Sequence, residues 1–139
     1  MVVLQNVGID ISMADFRVCF MVLLSDQSRK IKGTRKFKNT RKGIKEFRQW
    51  VEKKRLSEAP LRMTMEATGI YYEALAYTLY NHNYDLSVVL PNKSKYYFQS
   101  LNMKSKTDKI DAEGLARFGL ERKLETWKPV SKQMYTLKK

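Results

Sequence analysis

Asp10, Glu66, Asp108 and Asp111 are the residues whose types and spacing could do chemistry in this chain. Asp10 ends an apolar run, VVLQNVGID, and Glu66 ends another, LRMTME. Asp108 and Asp111 sit three apart in TDKIDAEGLA, at the start of an expected helix. Residues three apart on a helix are surface neighbours, so the pair would present two carboxylates together. Leu115, one turn on, turns that column toward the core. Like charges this close repel unless cations neutralise them. Mg²⁺ fits as a hard ion that takes oxygen ligands and keeps several waters, with Mn²⁺ as a substitute. Two such ions about 3.5–4 Å apart can activate a nucleophile and stabilise the leaving oxygen of a phosphoryl transfer. Each acid alone also has a plainer role. Asp10 can simply end a strand, and Glu66 can pair with a lysine. Asp108 can favour a helix N-terminus, and Asp111 can pair with Lys104 or Lys109.

These acids stand in a basic chain. Its 139 residues carry 27 Lys and Arg against 14 Asp and Glu, a formal charge of +13. That excess points to a polyanionic partner, nucleic acid first. The chain is long enough for one domain with a core, and 43% hydrophobic residues mark it as globular. Its longest apolar stretch, Val18 to Leu24, is far short of the ~20 residues of a membrane span. No signal peptide is recognisable, so no membrane partner and a cytoplasmic location are expected. Cys19 is the only cysteine and His82 the only histidine. A disulfide framework and a Cys/His zinc site are excluded, and Cys19 reads as a buried filler.

Patterning gives the elements that must position the acids. Val2 to Ile9, Phe16 to Leu24 and Arg29 to Phe37 read as three antiparallel strands. Asn39 or Thr40 caps a helix carrying Ile44, Phe47, Trp50 and Val51 and ending near Lys54. Leu61 to Glu66 is a fourth strand, followed by a turn at Gly69 and a helix with Tyr72, Leu75, Ala76 and Leu79 on one face. Tyr84 to Leu90 is a fifth strand, and Asn92 to Leu101 a helix. Ser105 or Thr107 caps a last helix, which holds Asp108 and Asp111 and ends near Arg117 or Phe118. Residues 120 to 128 form a connection, with a short strand around Thr126 and Trp127. The fold class is therefore α/β, a mixed five-stranded sheet with helices on both faces. The order is that of the ribonuclease H-like fold, which sets the first and fourth strands side by side and parallel. Asp10 and Glu66 should then emerge at neighbouring strand ends.

Three motifs carry a family resemblance: VGIDIS, MEATGIYYEALAYTL and KSKTDKIDAEGLARF. In order and spacing they resemble the N-terminal domain of the DEDD transposases, the insertion-sequence recombinases that include the Piv invertases. Sugar kinases of the actin-like fold share the first motif. The six glycines here supply no second glycine-rich phosphate loop, which speaks against them. The resemblance implies a RuvC-like ribonuclease H variant over residues 1–128. It implies an acid tetrad of Asp10, Glu66, Asp108 and Asp111 binding Mg²⁺, and DNA strand cleavage and rejoining during transposition or inversion. Family members add a C-terminal transposase domain with a nucleophilic serine, and residues 129–139 read as the start of a helix toward it. No such serine domain is recognisable in these residues, so recombination by this chain alone is not expected. The resemblance also implies a structured non-coding guide RNA, and a homo-oligomer is expected for the full-length protein.

The expected nucleic-acid surface has two parts. Nine basic residues run from Arg29 to Lys45 with no acid among them, Lys36, Lys38, Arg41 and Lys42 included. They form a phosphate-tracking face, or a charged guard on an edge strand. In SKYYFQSLNMKSK, residues 94–106, lysines 95, 104 and 106 flank Tyr96, Tyr97 and Phe98, with Lys93 just before the segment and Lys109 just after it. Bases can stack on such rings, although two of the three rings are expected in the core. Tyr71 is a candidate site-lining residue and Tyr72 a core one. Two other readings stay open. One is a stand-alone junction nuclease of the RuvC type, and the other is a non-catalytic DNA- or RNA-binding module.

Overall fold

The structure, a computed structural model, describes residues 1–67, 69–100 and 111–129. Its elements in chain order are β1 (Val2–Ile11), β2 (Asp15–Leu24), β3 (Arg29–Lys38), α1 (Arg41–Lys54), β4 (Leu61–Glu66), α2 (Glu73–Asn81), β5 (Asp85–Val89), α3 (Pro91–Ser100) and α4 (Ala112–Glu121). The strands form one sheet in the order β3-β2-β1-β4-β5. β1, β2 and β3 pair antiparallel, whereas β4 pairs parallel to both β1 and β5. The expected mixed sheet, and the side-by-side parallel β1 and β4, are both present.

Strand alternation sorts the side chains between two unlike faces. Val7, Ile9, Phe16, Phe20, Met63, Met65 and Leu86 face α1 and α2, which contribute Ile44, Phe47, Val51, Leu75 and Leu79 to one continuous apolar slab. Phe16, Phe37, Phe47 and Trp50 form a ring cluster there, with centroid separations of 5.3–6.4 Å. Such pairs add about 0.5–1.5 kcal/mol each beyond the area they bury. α1 starts where Thr40 Oγ1 accepts from Gly43 N at 3.0 Å. It ends with Lys53 and Lys54, whose charges suit the carbonyl end of the helix. The buried Gln5 fixes the loop into β4. Its Nε2 donates to the Leu56 and Ala59 carbonyls, and Leu56 N donates to its Oε1.

The other face is smaller and more polar, and α4 lies across it. A Cβ on Gly8 would overlap the Ala112 carbonyl oxygen and Ala116 N, and would sit 2.9 Å from Ala116 Cα. Helix backbone and strand backbone therefore touch at Gly8. Two turns on, Gly119 leaves room for Asn6 and Thr64. Asn6 Nδ2 donates to the carbonyls of Ala116 at 2.8 Å and Leu115 at 3.4 Å. Thr64 Oγ1 donates to Asn6 Oδ1 at 3.2 Å. Cys19, Met21, Ala112, Ala116 and Leu120 pack on one side of this seat; Val89, Tyr97, Leu115 and Phe118 pack on the other, bringing in α3.

The sequence reading needs correction in three places. α4 begins at Ala112, and Asp111 precedes it with extended backbone, so Asp111 lies outside the helix. The expected helix-face spacing therefore does not set the position of Asp111. α4 also runs past Phe118 to Glu121, because Gly119 is a packing glycine and not a stop. Finally, Thr126 and Trp127 form no strand. One hydrogen bond, Trp127 N to the Leu86 carbonyl, lays that segment along the edge of β5, and Trp127 meets the rings of Tyr77 and Tyr80. The expected caps Ser105 and Thr107, and the helix after Pro129, lie outside the described residues.

The far end of α4 is fastened by Glu121. Its Oε1 accepts from Arg29 at 2.8 Å and Arg117 at 2.9 Å, and its Oε2 accepts from the Tyr97 hydroxyl at 2.5 Å. Burial alone would raise its carboxyl, but these donors and the two guanidinium charges outweigh burial and hold it below the usual 4.5. A depressed acid contributes stability above its unfolded value, and that contribution is lost as pH falls through the folded one. Acid titration of stability should therefore show a loss beginning near 4.5 and continuing below it, and Glu121→Gln should shrink that slope. At neutral pH, Gly8→Ala should destabilise by about 1–3 kcal/mol or more, because backbone and not a flexible side chain must yield. Urea denaturation measures it, and an unchanged midpoint would contradict the contact at Gly8.

Candidate active site

Residues of β1 on the α4 face are Asn6, Gly8 and Asp10; those of β4 are Arg62, Thr64 and Glu66. Ile9 is in register with Met65, so Asp10 and Glu66 stand level on adjacent strands. Parallel pairing puts both at carboxyl ends of strands on one side of the sheet. The contact at Gly8 brings the start of α4 over the same place. Asp111, capping α4 through Oδ1 from Gly114 N at 2.8 Å, lines one cleft with Asp10. That cleft, of about 400 Å³, is also bordered by Arg17, Cys19, Lys36 and Glu113.

Three of the four expected acids are thus brought to one end of one face. Asp108 lies outside the described residues, as do Lys104, Lys106 and Lys109. Glu66 is engaged by α3, where the buried Ser94 donates from Oγ to Glu66 Oε2 at 2.6 Å. The rim is held by Asn39, whose Nδ2 donates to the carbonyls of Ser12 and Tyr71. This ties the turn after Asp10 to the turn after Glu66.

Among the described residues, no three His, Cys, Asp or Glu side chains are grouped closely enough to hold a metal ion. Asp10, Glu66 and Asp111 offer hard oxygen donors from three elements at one end of this face. That donor type fits an ion such as Mg²⁺, which takes oxygen ligands and keeps several of its own waters. Cys19, at the floor of the cleft, is no competitor. Burial first, then the charges of Glu113 and Asp111, push its thiol up to about 11, so it is neutral and a poor ligand at physiological pH.

The expected nucleic-acid residues divide. Lys36, Lys38, Arg41, Lys42, Lys93 and Lys95 are exposed. Tyr96 is 70% exposed, whereas Tyr97 is buried and stacks on Phe118 at 4.4 Å. The side chain of Phe98 is outside the described set. Tyr71 is exposed on the rim, and Tyr72 packs against the core as expected. Sequence reading missed Arg17, Ser94, Asn39 and Glu113. Arg17 alone left a signal, since a tight turn at residues 12–14 sets it opposite Asp10.

A five-stranded mixed sheet with acids at the ends of its parallel central pair defines a class of fold, that of the RuvC resolvases. The chain superposes on Thermus thermophilus RuvC, solved with a Holliday junction substrate, with a TM-score of 0.56 at 8% identity, covering 89% of this chain and 99% of that one. The fowlpox virus Holliday junction resolvase gives a TM-score of 0.52 at 14% identity, with coverage of 85% and 99%.

Within that class, residues 7–139 match the model of the DEDD transposases of the insertion-sequence 110 group. The chain belongs to this transposase family. It is also 34% identical over 125 residues to the pilin gene-inverting proteins of Moraxella bovis and Moraxella lacunata. Those matches cover 90% of this chain but 37% of each relative, so the chain spans little more than a third of their length. Membership of this DEDD transposase family implies dependence on a divalent metal. No helix among the described residues is long and apolar enough to cross a membrane.

Proposed function

We propose that this domain cuts DNA strands during transposition or site-specific inversion, using Asp10, Glu66, Asp108 and Asp111 to hold Mg²⁺, with Mn²⁺ able to replace it. The observation that carries this reading is the convergence of Asp10 and Asp111 on one cleft, with Glu66 level with Asp10 one strand away. When bound, the ion supplies Lewis acidity at a phosphodiester and a water or hydroxyl of lowered pKa. The chain's own part is to present oxygen donors from a rigid frame. Asp10 and Glu66 are fixed by sheet register. Asp111 is fixed by its bond from Gly114 N, which spends one carboxylate oxygen on the cap.

The substrate class is DNA, in keeping with family membership and with the net charge of +13. Lys36, Lys38, Arg41, Lys42, Lys93, Lys95, Lys104, Lys106 and Lys109 are proposed to hold its phosphates, and Tyr96 to stack on a base. A structured guide RNA, a homo-oligomeric assembly, a serine nucleophile from a further domain and action in the cytoplasm complete the proposal for the full-length protein. The likeness to resolvases keeps a second reading in view, a stand-alone junction nuclease. Cleavage of branched DNA by this chain with no serine partner would favour it.

Melting in the presence of Mg²⁺ or Mn²⁺ tests the metal site. Saturating ion should raise the melting temperature by a few degrees. Asp10→Asn and Asp111→Ser should each remove that rise. Serine retains the helix cap, so Asp111→Ser should melt near the parent in chelator and differ only when metal is added. A metal response that survives both substitutions would overturn the assignment.

A further inference from the structure

Register places four charged residues in one transverse row. Glu66 is level with Asp10, Asp10 faces Arg17 on β2, and Arg17 faces Lys36 on β3. Alternation puts all four on the α4 face. The row crosses the strands at right angles, acids at the centre of the sheet and cations toward the β3 edge. Neighbouring strands lie about 4.8 Å apart, so the charge changes sign within one strand spacing.

Arg17 is the informative member. Opposite charges facing each other across antiparallel strands ordinarily attract into a pair. Yet the exposed Arg17 makes no ion pair within 4 Å with any described carboxylate, although it borders the same cleft as Asp10, Asp111 and Glu113. The other cations nearby are engaged. Arg35 lies over the Phe37 ring, 4.8 Å from its centroid. Lys36 bonds Asp15 at 3.1 Å, an exposed contact of small worth that a stronger anion can displace.

We propose that Arg17, with Lys36 beyond it, is a phosphate-binding subsite of this cleft. It holds the DNA backbone beside the phosphodiester presented to the acids. The proposal rests on the DNA-cleavage reading above and adds a direction, since the bound strand runs across the sheet from β1 toward the β3 edge. Arginine suits the position because its planar fork takes two phosphate oxygens at once. A cation one strand from Asp10 would also hold the backbone without taking up the carboxylates proposed to ligate metal.

Two measurements on the same variant separate this from a structural role. Binding of a labelled DNA duplex in chelator should weaken about tenfold for Arg17→Gln, and the slope of log affinity against log salt should fall by about one. Arg17→Lys should keep the slope and recover part of the affinity. Mn²⁺ binding, followed by melting without DNA, should tighten in Arg17→Gln, because a cation that repels the metal has gone. DNA affinity and salt slope equal to the parent's in Arg17→Gln would overturn the subsite, whatever the metal does. The DNA measurement needs no metal, so failure of the parent to respond to Mn²⁺ would count against the acid site alone.

Discussion

The structure depends on the contact of α4 backbone with β1 backbone at Gly8. Any side chain there would lift the helix from the sheet, and with it Asp111 from Asp10. Apolar packing alone would leave the helix able to slide, since Ala112, Ala116 and Leu120 offer small, similar surfaces to Cys19 and Met21. Asn6 removes that freedom. Its amide is buried, and a buried donor without a partner costs about 1–3 kcal/mol. The carbonyls of Ala116 and Leu115 satisfy it only when α4 sits at one height and one rotation. Gly119 is the complementary vacancy, because it gives Asn6 and Thr64 room to make the bond.

The two faces of the sheet divide the labour. The α1 and α2 side holds large apolar and aromatic residues and supplies most of the burial that stabilises the fold. The α4 side contributes less apolar area and instead fixes positions through small residues and hydrogen bonds. Acids gathered there cost energy. Asp10 and Glu66 stand level on adjacent strands, and Asp111 shares a cleft with Asp10. Like charges brought to one end of a face favour a cation near them, which is the physical ground of the metal site proposed above.

The five strands were legible in the sequence because period-two alternation and turn residues mark them locally. The pairing of β1 with β4, and with it the level placement of Asp10 and Glu66, followed only from the likeness of the element order to the ribonuclease H-like fold. The position of Asp111 relative to α4 was not legible. An acid inside a first helical turn and an acid capping that turn leave the same local signature, and only the backbone angle at Asp111 separates them. The end of α4 was placed too early, near Phe118, for a related reason, since Gly119 follows it. Glycine marks both helix ends and close contacts, and the partners that decide, Asn6 and Thr64, are more than 50 residues away in sequence. Ser94 on Glu66 and Asn39 across the two rim turns are equally non-local. The burial of Cys19 was readable because it follows from the pattern of its own strand. The packing of the half-buried Tyr72 against the core was readable because it stands one turn before Leu75 and Ala76.

Asp111 joins the frame to the chemistry. As the cap of α4 it secures the first turn of the helix that rests on Gly8, so its geometry is set by folding before any ligand arrives. Its Oδ1 is committed to Gly114 N. The partial positive charge of the helix N-terminus disfavours a nearby cation. In the proposed metal site Asp111 alone would therefore be a modest ligand, and most of the affinity would come from Asp10 and Glu66, which sit on strands and carry no such opposing dipole. A site built this way is weak until all its acids converge, and their convergence is decided by whether α4 can reach β1 at Gly8.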